Sequence, residues 1–130
     1  MPYKILIVED NPINMELATD LLEAAGHSVV PASDAEAGII LAGTESPDII
    51  LMDLALPGMD GLQATQILRH TATTLEIPIL ALTAHAMQGD AAKAAAAGCI
   101  GYLTKPIDTR TFVGTVVSFV EGKWTVEHTV

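Results

Sequence analysis

The sequence is poor in cysteine, in basic residues and in long uncharged apolar stretches. Its single cysteine, Cys99, cannot form an internal disulfide, which fits a reducing compartment and excludes a cysteine-based zinc site. Six lysines and arginines stand against 16 aspartates and glutamates, and the net charge of −10 would repel a phosphate backbone. No uncharged stretch rich in apolar residues reaches the roughly 20 residues that cross a bilayer, and the stretch 94–103 is about half that length. We therefore expect neither direct nucleic-acid binding nor a membrane span.

The N-terminus also lacks the features of an export signal. The first residues run directly into a short apolar segment, without the basic region, long apolar core or small-residue cleavage site of a signal peptide. A cytoplasmic location is the expectation. The length of 130 residues and the hydrophobic content of 50% predict one domain, residues 1–122. Residues 123–130 show no amphipathic period and are predicted to form a C-terminal tail.

Short apolar runs alternate with segments of helical periodicity along the whole chain. This alternation is typical of an α/β protein whose parallel sheet is covered by helices on both faces. The strands are rich in Ile, Val and Leu, as strands buried on both faces should be. Five strands are predicted, at residues 4–8, 28–30, 48–52, 77–82 and 100–103, with Pro31 interrupting the second.

Five helices are predicted from caps and apolar spacing. Asn11 is expected to cap the first helix and Asp60 the third, while residues 33–36 fit a capping box for the second. An alanine-rich fourth helix over residues 89–97 precedes Gly98, and Asp108 is expected to cap the fifth. The apolar stripes predicted to face the core are Ile13, Leu17 and Leu21 in the first helix and Ala37, Ile40 and Leu41 in the second. The second helix is expected to end before Gly43. In the fifth helix the predicted apolar face comprises Phe112, Val113, Val116, Val117 and Val120.

Polar residues stand at the carboxyl ends of four predicted strands, where ligands bind in open parallel sheets. Glu9 and Asp10 follow the first strand, Asp53 the third and Thr83 the fourth, while Lys105 lies in the loop after the fifth. Carboxylates that converge at one edge repel one another unless a cation neutralises them. Hard oxygen ligands favour Mg²⁺, which is usually held by one or two carboxylates together with phosphate oxygens.

Asp53 is the natural nucleophile of this set, because it ends a central strand that would fix its position. A carboxylate beside a metal can attack phosphorus and form an acyl phosphate, with metal and lysine stabilising the equatorial oxygens. The hydroxyl of Thr83 could then bond the phosphoryl group. Each residue alone has an ordinary alternative, since an acid after a strand is commonly a helix cap and a lone lysine is commonly solvated. The inference depends on the four strand ends taken together.

Several motifs in order resemble the response-regulator receiver family. They are Ile7-Val8-Glu9-Asp10-Asn11, Leu51-Met52-Asp53-Leu54, Leu56-Pro57-Gly58-Met59-Asp60-Gly61, Ala81-Leu82-Thr83-Ala84 and Tyr102-Leu103-Thr104-Lys105-Pro106. The resemblance implies a doubly wound, flavodoxin-like sheet of strand order 2-1-3-4-5. It further implies Asp53 as phosphoacceptor, Lys105 as phosphoryl contact, a cis Lys105-Pro106 peptide and a switch pair of Thr83 and Tyr102. The implied magnesium set is Glu9, Asp10, Asp53 and Ala55.

The same resemblance implies a signalling role. The expected phosphodonor is a histidine kinase or phosphotransfer protein, and the chain would catalyse its own phosphorylation and dephosphorylation without being an enzyme toward other substrates. A downstream protein partner would bind the face formed by the fourth helix, fifth strand and fifth helix. Ala55 and His85 occupy positions that influence the lifetime of the acyl phosphate in the family.

Three other functions are alternatives to this one. The first, a receiver that is not phosphorylated, is disfavoured by the full acidic set. A flavodoxin-like FMN protein needs a phosphate-binding loop after the first strand, where Glu9 and Asp10 would repel the anion. A phosphatase similar to haloacid dehalogenases needs a second aspartate two residues after the first, where this chain has Ala55. The position of Met1 just before the first strand favours a stand-alone regulator, with a fragment of a larger hybrid kinase or response regulator as the alternative.

Overall fold

The computed structural model describes residues 2–84 and 89–122, in which five strands and five helices alternate. All strand pairs are parallel, and the sheet order is β2-β1-β3-β4-β5, as the family resemblance implies. The elements are β1 (Lys4–Val8), α1 (Pro12–Ala24), β2 (Ser28–Ala32), α2 (Ala35–Glu45), β3 (Ile49–Asp53), α3 (Gly61–Arg69), β4 (Ile79–Thr83), α4 (Asp90–Ala97), β5 (Gly101–Thr104) and α5 (Phe112–Val120).

The three inner strands separate two apolar cores. Alternate residues of one strand point to opposite faces, so Leu6 of β1 packs into one core while Ile5 packs into the other. The first core lies under α2, α3 and α4, and the second lies under α1 and α5. The α/β class with helices on both faces is therefore confirmed.

The start of α1 is as predicted, but its buried face is not. The Asn11 side chain accepts hydrogen bonds from the backbone N–H groups of Ile13 and Asn14, at 2.9 and 3.1 Å. Ile13 is 76% exposed and Leu17 is 38% exposed, so the predicted inward stripe is wrong at these two residues, whereas Leu21 is half-buried and packs against the core. Ala18 and Leu22 are the buried residues of this helix, because the sheet lies on the neighbouring side of the stripe.

The second helix and strand also differ from the prediction. Asp34 caps α2 by accepting from the N–H of Ala37 at 2.8 Å, so the capping box at residues 33–36 is not formed. The helix runs past Gly43 to Glu45, and Ile40 on it is 65% exposed rather than inward. Pro31 does not interrupt β2, because β2 is an edge strand in which a residue without an N–H is tolerated.

The later helices follow their predicted positions more closely. Asp60 caps α3 in a reciprocal bond pair with Gln63, and Gly98 ends α4 in the left-handed conformation. Asp108 does not cap α5, whose cap position is Thr111; Asp108 instead begins the turn that precedes the helix. Phe119 is buried on α5, although the predicted apolar face omitted it.

Two further expectations have a clear outcome. The Lys105-Pro106 peptide is cis, as the resemblance implied. Among the described helices, none has the length and apolar character needed to cross a bilayer. The predicted tail, residues 123–130, and His85 lie outside the described residues.

Candidate functional site

The candidate site lies at the carboxyl edge of the sheet, where the loops after neighbouring strands meet. Glu9 and Asp10 follow β1 directly, and Asp53 is the last residue of β3, the adjacent strand. Val8 of β1 pairs with Met52 of β3, so the next residues along the two strands reach the edge at the same level. Parallel pairing therefore places residues more than 40 positions apart beside one another.

Three carboxylates form the centre of the site. Single oxygens of Glu9, Asp10 and Asp53 lie within 4.8 Å of one another. Glu9 and Asp53 are buried, with 3% and 2% of their surface exposed, whereas Asp10 is exposed. Oxygen-only donors in an acidic, half-open cluster fit a hard divalent cation that keeps part of its water shell. The three residues could hold such an ion.

Lys105 lies between the two buried carboxylates. Its Nζ is 2.9 Å from Asp53 Oδ2 and 3.0 Å from Glu9 Oε1. Burial by itself lowers the pKa of Lys105, but its hydrogen bonds to Asp53 and Glu9 and their negative charges outweigh burial and raise it. The lysine is therefore held as a cation. One lysine charge does not balance three carboxylates, so the cluster would attract a metal cation.

The surroundings of Glu9 act on its pKa in opposite directions. Burial raises the pKa of Glu9, and the neighbouring Asp53 raises it further. The backbone N–H of Asn11, 3.1 Å from Glu9 Oε2, and Lys105 act in the opposite direction. In the low dielectric of this buried site, a bound cation would interact more strongly with the Glu9 carboxylate than with an exposed one, and this interaction would offset the cost of ionising it.

The orientation of Asp53 is fixed from both of its oxygens. Oδ2 accepts from Lys105, and Oδ1 accepts from the backbone N–H of Ala55 at 2.9 Å. The side chain of Ala55 has no atom that can bind a metal, so Ala55 could contribute only a backbone atom to a metal site. Gly61, at the start of α3, approaches the backbone carbonyl of Asp53 so closely that a Cβ there would clash with it. Sequence reasoning missed this role of Gly61, although its place after the cap Asp60 was a usable signal.

Thr83 ends β4, the strand next to β3, and Tyr102 lies on the edge strand β5. The Thr83 hydroxyl, buried at the end of β4, donates to Asp90 Oδ2 at 2.8 Å. Tyr102 is partly buried on β5 and lines a pocket of about 110 Å³ against α4. Sequence reasoning did not single out Asp90. The structure thus brings together Glu9, Asp10, Asp53 and Lys105, while the switch role of Thr83 and Tyr102 stays a prediction.

Cys99 lies in a buried environment. The thiol is buried and its Sγ lies 3.9 Å from the hydroxyl of Thr65. Burial raises the pKa of the thiol. Cys99 is one of the buried residues of the core under α2, α3 and α4.

Comparisons with known proteins point to one family. A family model described as the response regulator receiver domain matches residues 5–117. The polar-differentiation response regulator DivK of Brucella anthropi is 39% identical over 120 residues, which cover 92% of this chain and 98% of DivK.

Solved structures agree with the sequence comparison. The receiver domain of the sensor histidine kinase PA1611 from Pseudomonas aeruginosa is 34% identical, with a TM-score of 0.84 over 94% of this chain and 99% of its own. That structure has a magnesium ion coordinated in its active-site cleft. The chemotaxis response regulator CheY4 of Vibrio cholerae is 26% identical, with a TM-score of 0.84 over 90% of this chain and 98% of its own.

Proposed function

The chain belongs to the response regulator receiver domain family of two-component signalling, and we propose that it accepts a phosphoryl group on Asp53 in a magnesium-dependent reaction. The observation that carries the proposal is the position of the Asp53 carboxylate, which ends a central strand and contacts Lys105 at 2.9 Å. Glu9 and Asp10 lie beside it as further oxygen ligands. These positions support Asp53 as the nucleophile, Lys105 as the cation and Glu9 with Asp10 as the metal-binding pair, since all four residues follow or end strands at the carboxyl edge of the sheet.

The proposed reaction is a transfer between donor and carboxylate. An oxygen of Asp53 attacks phosphorus, a new phosphorus–oxygen bond forms, and the bond to the donor breaks with its electron pair leaving on the donor. Lys105, which contacts Asp53 at 2.9 Å, stabilises the charge on the phosphoryl oxygens. Glu9, Asp10 and Asp53 would hold Mg²⁺, which would neutralise part of the negative charge that develops during the transfer. Attack of water on the phosphorus of the acyl phosphate breaks the bond to the Asp53 oxygen, releases inorganic phosphate and restores the carboxylate.

Members of this family interact with kinases or phosphotransfer proteins. For this chain the proposed donor is a histidine kinase or a phosphotransfer protein in the cytoplasm. The proposed output surface is formed by α4, β5 and α5. There the phosphoryl group would attract the hydroxyl of Thr83, and Tyr102 would turn inward, so that partner affinity changes with phosphorylation.

Intact-mass measurement after brief incubation with acetyl phosphate tests the chemistry. The wild-type chain should gain one phosphoryl group in the presence of Mg²⁺, and EDTA should abolish the gain. Asp53→Asn should gain none. Asp20→Asn is a matched control, because Asp20 is an exposed aspartate on α1 outside the cluster, and it should label like wild type. Labelling of Asp53→Asn at wild-type level, or labelling that EDTA leaves unchanged, would contradict the proposal.

A further inference from the structure

Outside the carboxylate cluster, a hydrogen bond joins the side chains of Thr83 and Asp90. Thr83 ends β4 and is only 3% exposed, while Asp90 is the first residue of α4 and is partly buried. The hydroxyl oxygen of Thr83 lies 2.8 Å from Oδ2 of Asp90. A bond of this length to a carboxylate is charge-assisted and stronger than one between neutral groups.

The N-terminus of α4 shows which side chain of this helix reaches the end of β4. The cap position is Gly89, which has a φ of 86° and no side chain to bond the first turn. The first side chain of the helix is therefore the Asp90 carboxylate, and it is directed at the end of β4. The bond thus joins the buried strand end beside Asp53 to the first turn of a surface helix.

The Thr83 hydroxyl has one proton and can donate it to one acceptor at a time. The proposed function assigns that proton to the phosphoryl group on Asp53. The same proton is donated to Asp90 in the unphosphorylated chain. We propose that Asp90 is a positioning residue that competes with the phosphoryl group for the Thr83 hydroxyl and so stabilises the unphosphorylated state. This inference rests on the proposed function and adds the residue that opposes it.

The position of α4 extends the consequence to the surface. Ala91, next to Asp90, lines the same pocket of about 110 Å³ as Tyr102 on β5. Release of Asp90 by Thr83 would therefore free the first turn of α4 beside the aromatic ring. A contact made in only one of two states shifts the equilibrium toward that state. Loss of the Asp90 carboxylate should favour the phosphorylated conformation.

The test is a titration with beryllofluoride, a phosphoryl mimic, in the presence of Mg²⁺. Affinities are measured by calorimetry for wild type, Asp90→Ala, Asp90→Asn, Thr83→Ala and the double variant Thr83→Ala/Asp90→Ala. Asp90→Ala should bind about tenfold more tightly than wild type, within the usual range of allosteric couplings. Asp90→Asn should gain less affinity than Asp90→Ala, because its amide oxygen can still accept from Thr83, although without the negative charge. The gain from Asp90→Ala should disappear in the Thr83→Ala background.

The design separates the bond from the charge of Asp90. Asp108→Ala is the charge control, since Asp108 is an exposed acid that follows β5 at the same edge, and it should change affinity little. A purely electrostatic effect would make Asp90→Asn equal to Asp90→Ala and would persist without Thr83, which overturns the proposal. Unchanged affinity in Asp90→Ala overturns it as well. Failure of wild type to bind beryllofluoride would instead overturn the proposed function, and the role of Asp90 with it.

Discussion

At the scale of single residues, the site depends on side chains whose ionisation is set by their neighbours. Lys105 is held as a cation by Asp53 and Glu9, and Glu9 is costly to ionise because it is buried. Burial gives these groups interactions that exposed charges of the same kind would not have. The chemistry of the site therefore follows from where the residues lie as much as from which residues they are.

A second ionisable contact lies at the opposite edge of the sheet and predicts a pH dependence. The Tyr3 hydroxyl donates to Glu121 Oε2 at 2.7 Å, and this bond raises the pKa of Tyr3 above its ordinary value of 10.0. The folded state therefore favours the protonated phenol. Stability from this contact is fully present below pH 10.0 and is lost as the pH rises through the higher folded-state pKa.

Ultraviolet titration of the phenolate checks this prediction. Glu121→Gln should lower the pKa of Tyr3 toward its ordinary value, because the acceptor loses its negative charge. The chain has two tyrosines, so Tyr3→Phe identifies which transition belongs to Tyr3. If Glu121→Gln leaves that transition unmoved, the hydroxyl–carboxylate bond does not set the pKa.

At the scale of elements, close approach of helices to the sheet is controlled by small residues. Gly38 of α2 lies against Val8 of β1, where an added Cβ would come within 2.7 Å of Val8 Cγ2. Gly114 of α5 has nothing within 4 Å of the same position. The close approach of α2 to β1 thus requires a glycine at Gly38, whereas the open space around Gly114 would accept a side chain.

This contrast predicts substitutions of opposite sign. Gly38→Ala should lower the free energy of unfolding by about 1–3 kcal/mol, because the new methyl group overpacks the contact with β1. Gly114→Ala should raise it by about 0.5–1 kcal/mol, since alanine is the better helix former and the site has room. Urea unfolding of both variants is the measurement. Equal changes in the two variants would contradict the role assigned to the α2–β1 approach.

Arg69 shows how one side chain can join several elements. Its Nε donates to the carbonyl of Gly98 at 2.9 Å, and its Nη1 donates to those of Leu75 and Ile77 at 2.8 and 2.7 Å. The residue thereby ties the end of α3 to the loop before β4 and to the end of α4. Sequence reasoning assigned it no role, because nothing local indicates which carbonyls a long side chain will reach.

At the scale of the whole molecule, folding gathers like charges in a chain that is already acidic. The net charge is −10, and three carboxylates meet at one sheet edge with one lysine bonded to two of them. Such an arrangement opposes folding until a cation is bound. Stability and metal binding are therefore expected to be linked.

Asp10→Asn tests that link. In EDTA its free energy of unfolding should be slightly higher than that of wild type, by less than about 1 kcal/mol, because Asp10 is exposed. Added Mg²⁺ should stabilise wild type, by about 2.7 kcal/mol at a hundredfold excess over the dissociation constant, and should stabilise Asp10→Asn much less. Asp20→Asn, which removes an exposed charge on α1, should keep the full response to Mg²⁺. A full response in Asp10→Asn would exclude Asp10 from the metal set.

The sequence by itself determined the class of fold and the candidate chemistry. Apolar runs and helical periods fixed the alternation of elements, because burial on both faces requires nearly continuous apolar strands. The residues at the strand ends, Asp53 above all, could be recognised because parallel strands all end at one edge and the motifs are local.

Tertiary structure decided which side of each helix is buried and which polar groups pair. Ile13 and Ile40 have the spacing of core residues but are 76% and 65% exposed, because the angle at which each helix meets the sheet selects its buried side. The bond from Thr83 to Asp90 joins two elements across a loop. Periodicity carries information about one element at a time, whereas such contacts depend on how elements pack, and packing is fixed only when the whole chain has folded.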